Sequence, residues 1–145
     1  MLGANEIYQH MTQVSRRYDK LKKLFEGFGD LATAALNEKS CPVQGVQFEP
    51  EYQNDRFFVR FAGKCIRFAF SADLGPNGSG HAFVKCNVVD PVTKAVGTAV
   101  VSFSFNSQGD TELKLPPDGD LITVNSHGSP GYLVLHVLNE ALGKQ

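Results

Sequence analysis

The most restrictive feature of the sequence is a regular apolar pattern that begins near its start. Between Asn5 and Leu36, apolar residues recur at alternating steps of four and three. This spacing predicts a helix with one apolar face over about four heptads, against which the rest of the chain can pack. The apolar positions are Ile7, Met11, Val14, Tyr18, Leu21, Phe25, Phe28, Ala32 and Ala35.

Such a helix is longer than the domain that the chain can form. At 1.5 Å per residue, residues 5–36 would span about 48 Å. A globule of this chain length is about 40 Å across. Gly27 and Gly29 weaken the helix, and Asp30 is placed to cap a second helix beginning at Leu31. We therefore expect a kink within residues 27–30, and the alternative is a straight helix that extends into a dimer.

Composition and charge narrow the class of protein. The chain has 145 residues, of which 42% are hydrophobic and 20% charged, as expected for one globular domain over residues 1–145. The net charge of -1 provides no overall attraction to nucleic acid or to a membrane surface. Residues 1–5 lack the features of a signal peptide, and no apolar run is long enough to span a bilayer. With Cys41, Cys65 and Cys86 as free thiols, we expect a cytoplasmic protein without membrane association.

A short basic segment lies within the predicted helix. Residues 16–23 contain five cations and one acid, Asp19. Runs of this kind can contact nucleic acid or acidic lipid. Tyr18 and Leu21 maintain the heptad through the segment, which favours a solvated helix face. The cations are Arg16, Arg17, Lys20, Lys22 and Lys23.

After Gly45 the apolar period changes from helical to two, which predicts β-strands. Ser129, Pro130 and Gly143 are placed to begin and end a second helix. The sequence therefore predicts an antiparallel meander of five to seven strands between two helices. The expected strands are Val46–Gln53, Arg56–Ala62, Cys65–Ala72, His81–Val89, Ala95–Asn106, Thr111–Leu115 and Leu121–Val124.

Two short turns predict the register of the first three strands. A turn at Asn54-Asp55 would place Phe48 opposite Phe61. A turn at Gly63-Lys64 would place Phe61 opposite Ile66. Both turns assign the same apolar residues to one face of the sheet. We expect an α+β fold in which both helices pack on that face.

The opposite face carries the candidate partner-binding residues: Phe58, Arg60, Arg67, Phe83 and Lys85. In the expected register Arg60 lies directly opposite Arg67, and these like charges repel unless an anionic group lies between or beside them. The two phenylalanines are expected to be exposed on this mixed-charge face. A solvated charge ladder is the alternative interpretation.

Catalytic and metal-binding patterns are weak in the sequence. Cys65 is expected to point away from the core and Cys86 into it, and no Cys-x-x-Cys spacing suggests zinc. His127 lies just before the second helix, where an anion could bind, but capping of that helix by Ser129 is the simpler explanation of the pattern. We therefore expect no cofactor and no metal.

Three functional hypotheses follow. The leading one is a non-catalytic binding or regulatory protein that acts through protein–protein contacts as a homodimer. The second is a small-molecule or anion-binding enzyme with its site between helix and sheet, near His81 or His127. The third is nucleic-acid binding through the basic helix or through the face that carries Arg60 and Arg67.

Overall fold

The computed structural model describes residues 3–75, 80–115, 120–126 and 128–143. Within these residues the chain forms a helix, a seven-stranded antiparallel sheet whose strands are paired in chain order, and a second helix. The α+β fold expected from the sequence is therefore confirmed. The elements are α1 (Ala4–Leu36), β1 (Gln47–Glu51), β2 (Arg56–Phe61), β3 (Lys64–Asp73), β4 (His81–Val89), β5 (Val96–Phe105), β6 (Asp110–Leu115), β7 (Asp120–Thr123) and α2 (Ser129–Gly143).

Both helices pack on the same face of the sheet. Phe25 and Phe28 of α1 and Leu133 of α2 belong to one buried cluster with the apolar face of the strands. Within it Phe57 and Phe68 stack at 4.7 Å between ring centroids. Each aromatic ring buries a large apolar area, and burial of apolar area is the main source of folding free energy. The opposite face of the sheet, called the outer face below, carries the alternating polar residues.

The register of the first strands differs from the expected one by two residues. Phe48 lies opposite Val59, and Phe57 lies opposite Phe68. Between β1 and β2 the chain forms a short 3-10 turn that ends at Asp55, which has a left-handed backbone with a φ of 58°. The paired residues Glu51 and Arg56 are therefore separated by four residues, where the sequence suggested a two-residue turn. A shift of two residues leaves every side chain on its expected face.

The turn between β2 and β3 also lies one residue earlier than expected. Ala62 and Gly63 both have positive φ, at 51° and 80°, which is the backbone of a two-residue hairpin turn. As a result Arg60 lies opposite Cys65. The expected pairing of Arg60 with Arg67 is wrong, because Arg67 lies opposite Phe58.

Helix α1 continues through both glycines, so the prediction of a second helix beginning at Leu31 is wrong. Asp30 does not cap a helix; its carboxylate accepts a hydrogen bond of 3.0 Å from the Tyr52 hydroxyl. A Cβ on Gly29 would overlap that hydroxyl and lie 3.2 Å from Cζ of the same ring. Gly29 therefore allows the turn after β1 to approach the helix closely.

The first part of α1 extends past the sheet. The first buried residue of the helix is Leu21. One turn earlier, the Tyr18 ring lies 5.7 Å from that of Phe70, and its hydroxyl donates a 2.9 Å hydrogen bond to Asp55. Burial and this hydrogen bond raise the pKa of Tyr18. Residues Ala4–Arg17, called the arm below, extend beyond this contact over about 21 Å of helix.

Alanine substitutions at the two glycines should have opposite effects on stability. We expect Gly29→Ala to lower the free energy of unfolding by about 1–2 kcal/mol, because Tyr52 must move to admit the methyl group. Gly27 has open space around it, so Gly27→Ala should raise that free energy by up to about 1 kcal/mol through helix propensity. Urea unfolding of both variants measures the difference. If both substitutions stabilise the protein, the close approach at Gly29 is wrong.

Candidate functional site: the outer face and the arm

All five predicted partner-binding residues lie on the outer face. Phe58 of β2 is opposite Arg67 of β3, so the two share a row across the strands. On β4, Lys85 and Phe83 occupy the next two rows, opposite Ala69 and Ser71. Arg60 lies two residues beyond Phe58 on the same strand. The period of two therefore placed these side chains on the correct side of the sheet.

Arg60 is already paired within the chain. Its Nε lies 3.4 Å from Oε1 of Glu49, and its Nη2 donates a 2.8 Å hydrogen bond to the carbonyl of Pro91. Lys94 binds the second oxygen of Glu49. The hydrogen bond from Lys94, together with the positive charges of Lys94 and Arg60, lowers the pKa of Glu49. Because these contacts occupy its guanidinium, Arg60 is poorly placed to bind a partner.

Phe58 is buried, at 1% exposure, so the expectation of an exposed ring is wrong. The Lys94 ammonium lies 4.1 Å above the ring centroid, and the Arg56 guanidinium lies 5.5 Å from it. Beneath these cations Phe58 forms a small apolar cluster with Cys65 and Val89. Burial raises the pKa of the Cys65 thiol. The ring is a structural element of the outer face and is not available to stack on a ligand.

The cover over Phe58 comes from the turn between β4 and β5. The Asp90 carboxylate accepts hydrogen bonds from the backbone N–H groups of Val92 and Thr93, which lower its pKa. The Lys94 N–H donates to the Asp90 carbonyl at 2.9 Å and so closes the turn. The expected strands His81–Val89 and Ala95–Asn106 left residues 90–94 to connect them. Nothing in the sequence indicated that Lys94 would reach back to β1 and β2.

Arg67 and Lys85 remain without an acidic partner among the described residues. Nε of Arg67 is buried and has no hydrogen-bond acceptor in the described structure. Its cross-strand neighbour Asn87 is 4% exposed and has an Oδ1 with no donor. An unpaired buried polar group costs about 1–3 kcal/mol of stability. Asn87 was not among the predicted partner-binding residues.

Phe83 is the exposed aromatic residue of this region, with 45% of its surface accessible. It lies two residues from Lys85 along β4, on the same face. We refer to Arg67, Lys85 and Phe83 together as the open patch. It combines two uncompensated positive charges with one accessible aromatic ring, which suits contact with a partner of opposite charge.

The structure describes one of the two histidines named in the enzyme hypothesis. His81 lies opposite Asp73 on the outer face, whereas the second hypothesis expected it near a site between helix and sheet. His127 lies outside the described residues. Among the described residues no three His, Cys, Asp or Glu side chains are placed to hold a metal ion. Cys86 points into the core, where burial raises its pKa far above the ordinary value.

The arm presents a second candidate surface. Tyr8 is 74% exposed, Met11 56% and Ile7 47%, although Ile7 and Met11 belong to the apolar stripe that is buried further along α1. In the adjoining basic segment Arg16, Lys20 and Lys23 are exposed, while Lys22 pairs with Asp55 at 3.0 Å. The described part of the chain contains no helix long and apolar enough to cross a membrane.

Comparison with known proteins adds no assignment, because no family model, curated protein or solved structure matches the chain.

Truncating the two outer-face phenylalanines should separate their roles. We expect Phe58→Ala to lower the free energy of unfolding by about 3–5 kcal/mol, because it leaves a cavity beneath Lys94. Phe83→Ala removes an exposed ring and should cost less than about 1 kcal/mol. Urea unfolding followed by circular dichroism provides both values. Similar losses for the two variants would contradict the assignment of Phe58 to the structure and Phe83 to the surface.

Glu49 should make a measurable pH-dependent contribution to stability. Its folded pKa is lowered, so its contribution is complete above the unfolded value of about 4.3 and is lost as pH falls through the folded value. The side chain is 47% exposed, so solvent weakens its ion pairs. We therefore expect the free energy of unfolding of wild type to exceed that of Glu49→Gln by at most about 1 kcal/mol at neutral pH. This difference should disappear in acid. Urea unfolding across that range measures it, with Glu38→Gln as an exposed control.

Proposed function

We propose that this chain is a non-catalytic binding or regulatory protein that acts through protein–protein contacts and pairs with a second copy through its arm. The observation that carries the proposal is the apolar stripe on the arm, in which Ile7 and Met11 are exposed and Val14 is half-buried. In the remainder of α1 the same stripe is covered by the sheet. Among the described residues no element covers the exposed part of the arm, so we infer that the covering surface comes from another molecule.

A second copy fits this stripe well. Residues at the a and d positions of a heptad pack against the same positions of a partner helix. A two-fold dimer needs a surface that is complementary to itself, and a heptad stripe satisfies this requirement. The charges favour an antiparallel pair, because Glu6 lies near one end of the arm and Arg16 and Arg17 near the other. A parallel pair would bring the arginines of the two copies together.

The open patch provides a separate surface for a regulated partner. Its two uncompensated cations and its exposed ring lie on the face of the sheet away from both helices, so arm pairing leaves them accessible. Nucleic-acid binding through this face has less support than protein binding, because Phe58 is covered and Arg60 is paired with Glu49. Free thiols at Cys41, Cys65 and Cys86 are consistent with the predicted cytoplasmic location.

A charge placed in the stripe should abolish pairing. We expect wild type to sediment as a dimer and Met11→Asp to sediment as a monomer, because an interface between two short helices cannot accommodate a desolvated carboxylate. Met11 is exposed, so the fold and the unfolding transition should be unchanged. Sedimentation equilibrium over a range of protein concentrations measures the association constant.

Gln13→Asp is the matched control for this experiment. Gln13 is exposed on the arm but lies off the stripe, so the same charge there should leave the dimer intact. A wild-type protein that stays monomeric at all concentrations would rule out pairing. Equal weakening by both substitutions would place the interface elsewhere.

A further inference from the structure

We propose that the open patch binds an extended acidic segment of a partner protein, in which two carboxylates and one apolar side chain alternate with other residues. This inference rests on the proposed function in one respect, namely that the partner is a protein. The carboxylates pair with Arg67 and Lys85, and the apolar side chain packs on Phe83.

Charge is the first reason for this choice. The acidic side chains of β1 on this face are already paired, since Glu49 binds Arg60 and Lys94, and Glu51 binds Arg56 at 3.0 Å. Arg67 and Lys85 are the cations of the central outer face that lack an acidic partner among the described residues. A guanidinium beside a carboxylate forms paired, charge-assisted hydrogen bonds, and these are stronger than bonds between neutral groups.

The buried polar atoms are the second reason. In the described part of the chain, Nε of Arg67 has no acceptor, and Oδ1 of the buried Asn87 beside it has no donor. Native proteins satisfy such groups in the great majority of cases. A carboxylate that draws the Arg67 guanidinium toward the surface exposes Nε to that carboxylate or to water. The backbone N–H groups of an extended segment are donors of the kind that Asn87 lacks.

Spacing is the third reason. Phe83, Lys85 and Asn87 follow one another at every second residue of β4, and Arg67 lies opposite Asn87. Along a strand, every second residue advances by about 6.8 Å. An extended peptide repeats its side chains on one face at the same interval. Its first, third and fifth residues therefore meet Arg67, Lys85 and Phe83 in that order.

An acidic peptide fits this surface better than a nucleic acid. Single-stranded nucleic acids are held by several aromatic rings on which successive bases stack. On this face Phe58 is buried beneath Lys94, and Phe83 is the exposed ring of the patch. Two free cations match two carboxylates, whereas a nucleic-acid groove needs a longer basic track.

Fluorescence anisotropy with labelled peptides tests the proposal. The probe is Leu-Thr-Glu-Thr-Glu-Thr-Leu, which presents the pattern in both chain directions. A glutamine twin, Leu-Thr-Gln-Thr-Gln-Thr-Leu, removes the charges, and Leu-Thr-Glu-Glu-Thr-Thr-Leu keeps the charges but places them on opposite faces. We expect the probe to bind about tenfold more tightly than either control, through two charge-assisted contacts. Equal binding of all three peptides overturns the proposal.

Substitutions in the open patch provide the second part of the test. Arg67→Gln and Lys85→Gln should each weaken probe binding about fivefold, whereas Lys20→Gln, an exposed cation on α1, should not change it. A double variant, Arg67→Glu with Lys85→Glu, should prefer a lysine version of the probe, which shows that the face is still folded. If the patch variants bind the probe as wild type does, the site is wrong.

A twelve-residue oligothymidylate serves as the competing ligand. Tighter binding of this oligonucleotide than of the probe overturns the peptide assignment in favour of nucleic acid. The arm is tested separately, because Met11→Asp should bind the probe as wild type does. A failure of the pairing proposal, seen as absence of dimers, is thus distinguishable from a failure of the open-patch proposal, seen as absence of probe binding.

Discussion

The position of α1 on the sheet is set by phenylalanine packing, and the rest of the molecule depends on that contact. The Phe25 ring lies 5.3 Å from both Phe57 and Phe70, and Phe28 meets Phe103 edge-on at 5.9 Å. Rings of this size bury the largest apolar areas in the domain. They lie in the second half of a helix that is longer than the sheet can cover, so the first half extends beyond the sheet as the arm.

The outer face shows how the same sheet separates structural from accessible groups. Lys94 crosses from the turn after β4 to bind Glu49, and in doing so it covers the Phe58 ring. Glu49 is thereby shared between Lys94 and Arg60, whereas Arg67 and Lys85 have no acidic partner among the described residues. Antiparallel sheets tolerate one face in water, so an open face alone says little about function. Buried atoms without partners are more informative, because folding leaves few of them.

The sequence predicted the order of elements and the faces of the first five strands, because apolar periods of 3.6 and two report these directly. It could not settle the register, since a slip of two residues keeps each side chain on its face. The correct register depends on Ala62, a residue without any turn preference that adopts a positive φ. Gly29 was interpreted as a weak point in α1, but its role is to admit Tyr52. Likewise, the cover of Phe58 comes from Lys94, a contact between distant parts of the sequence that no local pattern indicates.

Hydrogen exchange along α1, measured at several protein concentrations, tests the pairing of the arm most directly. A helix end without tertiary contacts frays, because opening its terminal turns requires little free energy. Our account predicts that the amides of the arm are protected at high concentration and lose protection on dilution, while those around Phe25 and Phe28 stay protected throughout. Arm amides that exchange rapidly at every concentration, or whose protection does not change on dilution, would contradict it.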